Sequence, residues 1–205
     1  MSHRYSNKYV FVFCSMFLLM TASLFAQSGA PDNNSNTFKK GFYVGIEMGA
    51  GWLQLESSNQ DESREGKFIM GFYGGYRFFY ELRAGVKIDG YLIEASDYSN
   101  PAKGIGISNT SFQVQVFPLK TVPLFVNFQY GWSRYSNNHP LDGYDTNGTS
   151  QKIGLGYEYN LNKHFDVSLI TNYGFGKFDD VNNISETILD QNYNSWDITL
   201  CLTYH

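Results

Sequence analysis

At 205 residues the chain is one domain, or one domain with short extensions. Aromatics make up 18% of it and charged residues 17%, with 20 glycines. That composition favours strands with close-approach positions and leaves little room for helix. The net charge of −4 counts against nucleic acid as a partner.

Residues 1–26 stand apart from the rest. Arg4 and Lys8 supply a positive start, Tyr9 to Phe25 forms an almost uncharged apolar run, and Ala26 offers a small residue for cleavage. These features predict a cleavable signal peptide over 1–26. An uncleaved anchor helix is the alternative, since the run approaches the ~17 residues of a span. The polar stretch that follows favours cleavage. Cys14 lies within the run, which disfavours a lipoprotein anchor. Loss of Arg4 and Lys8 leaves 13 Lys+Arg against 19 Asp+Glu, a net charge of −6. Cys201 would then be the only cysteine, unable to form an internal disulfide and expected as a small packing residue. Residues 27–40 read as a flexible periplasmic lead-in, and 41–205 as the barrel domain.

From Gly41 onward the pattern has period two. In 41–55, Phe42, Val44, Ile46, Met48 and Trp52 oppose Gly45, Glu47, Gly49 and Gly51. In 67–79, Phe68, Met70, Phe72, Tyr76 and Phe78 oppose Lys67, Gly71, Tyr73, Gly75 and Arg77. In 81–93, Leu82, Ala84, Val86, Ile88 and Leu92 oppose Arg83, Gly85, Lys87, Asp89 and Tyr91. In 123–135, Leu124, Val126, Phe128, Tyr130 and Trp132 oppose Asn127, Gln129, Gly131 and Ser133. Runs at 109–117, 151–161, 165–178 and 196–204 complete eight candidate strands. Short turns at 80–81, 118–123 and 162–163 alternate with longer polar connections at 57–65, 97–108, 136–150 and 179–195. Outer-membrane barrels have this asymmetry, with turns in the periplasm and loops outside the cell. The expected fold is all-β: an eight-stranded antiparallel up-and-down transmembrane β-barrel with periplasmic termini.

A soluble lipocalin would show the same alternation with its apolar face inward. Volume decides between them. The apolar face carries sixteen large residues, Trp52, Phe72, Phe128, Trp132, Tyr157, Phe175 and Trp196 among them, and an eight-stranded interior is only wide enough for side chains to fill it. Charges on the other face would cost roughly 2–4 kcal/mol per Lys or Arg if turned to lipid. The apolar face therefore looks outward. Trp52, Tyr76, Phe78, Trp132, Tyr159, Trp196 and Tyr204 become interfacial aromatics, and Glu47, Arg77, Arg83, Lys87, Asp89, Lys152 and Glu158, joined by Asp166, a lumen charge network. That network reads as a static polar plug in preference to a gate, because buried charges require partners.

The segments Gly41-Phe42-Tyr43-Val44-Gly45-Ile46-Glu47-Met48-Gly49 and Gly71-Phe72-Tyr73-Gly74-Gly75-Tyr76-Arg77-Phe78 resemble those of small OmpA-like or opacity-type outer-membrane β-barrel proteins. The resemblance covers 41–205. It implies insertion by the outer-membrane barrel assembly machinery, with 196–205 as sorting segment, although such segments usually end in an aromatic and here His205 follows Tyr204. It also implies a chain without the cell-wall tether of full-length OmpA proteins.

His139, His164 and His205 are scattered, with no paired cluster for a metal and no spacing of a lipid A deacylase. No enzyme activity, metal or cofactor is expected. The preferred function is a non-enzymatic surface barrel for envelope structure and adhesion; a narrow channel and a lipid-modifying enzyme are the alternatives. Expected partners are outer-membrane lipids, lipopolysaccharide, and an extracellular partner for the acidic loops, which carry Asp61, Glu62, Glu65, Asp97, Asp142, Asp145, Asp179, Asp180, Glu186 and Asp190 against Arg64 and Lys103.

Overall fold

The computed structural model describes residues 40–57, 60–61, 65–94, 105–119, 122–137, 144–182, 187–188 and 191–205. The expected signal peptide, the lead-in up to 39, His139 and half of the acidic loop residues, Glu62, Asp97, Asp142, Glu186 and Asp190, lie outside the described residues. Eight long strands make the wall: β1 Gly41–Ser57, β2 Glu65–Phe79, β3 Leu82–Glu94, β4 Ile105–Val116, β5 Leu124–Asn137, β6 Tyr144–Asn160, β7 Phe165–Phe178 and β8 Asn192–Tyr204. Each pairs antiparallel with the next, and β8 pairs with β1, so the sheet closes without a free edge. Closure satisfies the backbone in lipid, where water cannot. Gln60–Asp61 folds back on β1, and Val181–Asn182 pairs with Thr187–Ile188.

The strands outrun their sequence signal at the loop end. β4 begins at Ile105 instead of 109, β6 at Tyr144 instead of 151, and β8 at Asn192 instead of 196, while β5 continues to Asn137. The expected loops at 97–108, 136–150 and 179–195 are correspondingly shorter. Beyond the lipid both faces of a strand meet polar surroundings, so apolar alternation stops while the hydrogen-bonded ladder continues. Asn137 still pairs with Tyr144.

The register sets the barrel's width. From Gly45 the paired residues run Tyr73, Lys87, Ser111, Gly131, Ser150, Gly176 and Tyr193, returning to β1 at Leu55, ten residues further on. A ten-residue stagger over eight strands implies a tilt of about 40° and a radius of about 8 Å, given ~3.3 Å per residue and ~4.8 Å between strands. Such a cylinder has room for side chains and little else.

Burial follows the sequence alternation. Val86 is 53% exposed and its neighbour Lys87 only 1%. The same register stacks Trp52, Trp132 and Trp196 near the loop end, and Tyr76, Phe78, Tyr159 and Tyr204 near the turn end. Allowing for the tilt, the apolar band bounded by these rings is about 25 Å tall, the height of an outer-membrane span. Trp52 and Trp196 lie 5.5 Å apart by ring centroids, and the Trp196 indole N–H donates to Thr171 at 2.8 Å.

The interior is less polar than the sequence suggested. Leu53, Ile69, Tyr91, Ile107, Tyr135, Phe178 and Tyr193 form an apolar cluster toward the loop end. Tyr43, Tyr73, Phe117, Phe125, Ile170 and Cys201 form another toward the turn end. Glycine makes space for them. Gly156 pairs with Phe125, and a Cβ at Gly156 would stand 2.2 Å from the Phe125 ring.

Candidate functional site

All seven expected lumen charges face inward and are buried, but they form two clusters and not one network. Glu47, Lys87, Asp89 and Lys152 meet at mid-barrel. Lys87 Nζ lies 2.7 Å from Glu47 Oε1 and 3.3 Å from Asp89 Oδ2. Lys152 Nζ lies 2.9 Å from Asp89 Oδ2 and 3.6 Å from Asp197 Oδ2. The two aspartates accept further bonds: Asn109 donates to Asp89 at 2.7 Å, Asn172 to Asp197 at 2.8 Å, and the Tyr91 hydroxyl to Asp197 at 2.8 Å. Asn127 and Gln113 extend this ladder, donating at 2.9 Å to Asn172 and Asn127 respectively. Charge-assisted bonds of this kind offset the desolvation that burial imposes.

The second cluster sits at the turn end, where the β2–β3 hairpin brings Arg77 opposite Arg83. Arg83 grips Glu158 bidentately, through Nη1 to Oε2 and through Nη2 to Oε1, the latter at 2.9 Å. Arg77 Nη1 lies 3.8 Å from the same carboxylate, and its Nη2 donates to the Tyr80 carbonyl at 3.2 Å. Asp166 stands 3.5 Å from Arg83 and 2.7 Å from His205 Nε2. Both guanidinium groups pack over the Phe117 ring at 5.0 Å. Two like charges side by side are held by the shared Glu158 carboxylate and an aromatic face.

Asp197 and Tyr91 were absent from the expected network, as were the amides of Asn109 and Asn172. Asp197 carries a legible signal, because it shares the inward parity of Thr199, Cys201 and Thr203 on β8. His205 continues that parity inward, so Tyr204 remains the last outward aromatic. The histidine that interrupts the expected terminal signal thus belongs to the turn-end cluster. Cys201 packs as expected, fully buried, with its thiol 3.7 Å from Glu47 Oε2.

The chain matches a family model, the outer membrane protein beta-barrel domain, over residues 16–205. The chain belongs to this outer-membrane β-barrel family. Among solved structures it is similar to Neisserial surface protein A, at 16% identity and a TM-score of 0.55, over 80% of this chain and 96% of that one. It is also similar to Ail, the attachment invasion locus protein of Yersinia pestis, at 10% identity and a TM-score of 0.51, over 80% and 99% of the two chains. At these identities the likeness is one of fold. No curated protein sequence matches the chain.

Proposed function

We propose that this barrel is a non-enzymatic, non-conducting scaffold of a Gram-negative outer membrane, serving envelope structure and surface attachment through its acidic loops. The supporting observation is the filled lumen. An ion passing through would meet an apolar cluster, the Lys87–Asp89–Lys152 cluster, a second apolar cluster and the Arg83–Glu158 cluster in series. In this reading the turn end faces the periplasm with both termini, and the long connections face outward, where rigid scaffolds carry recognition loops. Lipids and lipopolysaccharide surround the belt, and the barrel assembly machinery inserts it.

Two measurements test the proposal. In planar bilayers the purified barrel should give no discrete openings, and regular unitary steps would replace the scaffold reading with a channel. On whole cells, changing Asp97, Asp142 and Asp190 together to Asn should reduce binding to a basic surface while heat-modifiable gel mobility stays unchanged. Undiminished binding removes the attachment role.

A further inference from the structure

The apolar belt does not end at the same height all round the barrel. On β7 and β8 its uppermost rings are Phe175 and Trp196, whereas on β6 Gln151 faces outward directly opposite Phe175. Across the next pairing Phe175 stands opposite Asn194, and above them Thr149 pairs with Lys177. A groove of about 340 Å³ lies here, lined by Glu56, Thr149, Gln151, Phe175, Lys177, Asn192 and Asn194, with Gly176 and Tyr193 between them. All but those last two share the parity of Ile153, Tyr173 and Trp196, so the groove opens on the outer wall. Its volume falls within the range of small-molecule sites, about 300–1,000 Å³.

Position and chemistry together name the occupant. Ile153, Tyr173 and Trp196 expose lipid-facing surface just below the groove. A lipid whose acyl chains rest on them has its headgroup at the level of the groove. The lining offers three amides, from Gln151, Asn192 and Asn194, the Thr149 hydroxyl, one ammonium and one carboxylate over the Phe175 ring. The two charges balance, so nothing favours an anion strongly, and the Asn194 amide already donates to Glu56 at 3.2 Å. Amide–carboxylate pairs beside a ring suit the donor–acceptor pairs of sugar hydroxyls. On β3 and β4 the outward residues at this height are Gly90, Leu92, Gly106 and Ser108, of which only Ser108 carries a side-chain polar group.

We infer that this groove seats the saccharide headgroup of a glycolipid in the leaflet at the loop end. The inference rests on the orientation given under Proposed function, with the loop end in the glycolipid leaflet. The test uses the whole barrel in detergent micelles doped with a rough lipopolysaccharide, lipid A bearing inner-core sugars. Retained glycolipid is counted by native mass spectrometry against phosphatidylethanolamine. The Gln151→Ala/Asn194→Ala variant should retain it about tenfold more weakly, as expected for one or two lost hydrogen bonds, and Ser108→Ala should match the unaltered protein. Equal retention by the double variant, equal retention of phosphatidylethanolamine, or equally tight binding of the free core oligosaccharide would each overturn the assignment. Micelles carry no sidedness, so failure there leaves the scaffold reading intact. Loop cleavage by protease on intact cells reports orientation separately, and loops that stay protected would remove the glycolipid leaflet from the argument.

Discussion

Glu47 shows how much the interior depends on pairing. It is 3% exposed, and its partner Lys87 is 1% exposed at 2.7 Å. Removing the carboxylate takes away the nearer of two counter-charges and leaves Asp89, at 3.3 Å, to hold the Lys87 ammonium. Glu47→Ala should therefore lower stability by about 1 to 3 kcal/mol in urea unfolding. The Glu47→Leu/Lys87→Met double variant should recover most of that loss, since a well-packed apolar pair can replace a buried ion pair. An unchanged unfolding midpoint in Glu47→Ala would show that the carboxylate is not held in the lumen. Gly131 makes a steric counterpart. A Cβ there would lie 2.0 Å from the Thr110 carbonyl oxygen and 2.5 Å from the Ser111 Cα, so backbone and not a flexible side chain has to yield. Gly131→Ala should cost about 1 to 3 kcal/mol in the same assay.

At the scale of the strand, the decisive property is which way neighbouring residues point. Spin labels placed by cysteine at Val86 and Lys87 should separate cleanly: the first open to oxygen dissolved in lipid, the second shielded from it. The opposite result would turn the barrel inside out. Within the membrane this alternation is plain in the sequence, because lipid on one side and a crowded lumen on the other impose opposite demands on successive residues. It fades at 144–150, Tyr-Asp-Thr-Asn-Gly-Thr-Ser, where β6 rises beyond the belt and no apolar residue marks its outer face. The lumen charges were legible for the same reason, since a charge among alternating apolar residues has to face inward. Their division into two clusters was not. It depends on which residues the register brings to one height, Lys87 and Glu47 on either side of β2 and Arg83 and Glu158 on β3 and β6, and one chain read linearly does not fix that. Among the interior aromatics, parity already put Tyr73 and Tyr91 inward, whereas Phe125 was not singled out, and only the register places it over Gly156.

For the whole molecule, the seals act in series, and a single breach should not conduct. Truncating Phe178 and Tyr193 to Ala would empty much of the loop-end cluster, yet Lys87, Asp89 and Lys152 remain below it. Planar-bilayer current should therefore stay absent in this variant, provided gel mobility confirms folding. Conductance from that change alone would show that the mid-barrel ion pairs do not block passage. Adding Lys87→Ala and Asp89→Ala should still give no current, since Phe117, Phe125 and the Arg83–Glu158 pair close the turn end.

The ten-residue offset on returning to β1 has one more effect. Had the first and last strands mated two residues earlier, the tube would narrow by about a sixth in cross-section, from the same spacing relations. The packed contents would no longer fit. Side chains that block the bore thereby also gauge its girth, like a mandrel inside a rolled sheet, and only one circumference can be wound around them.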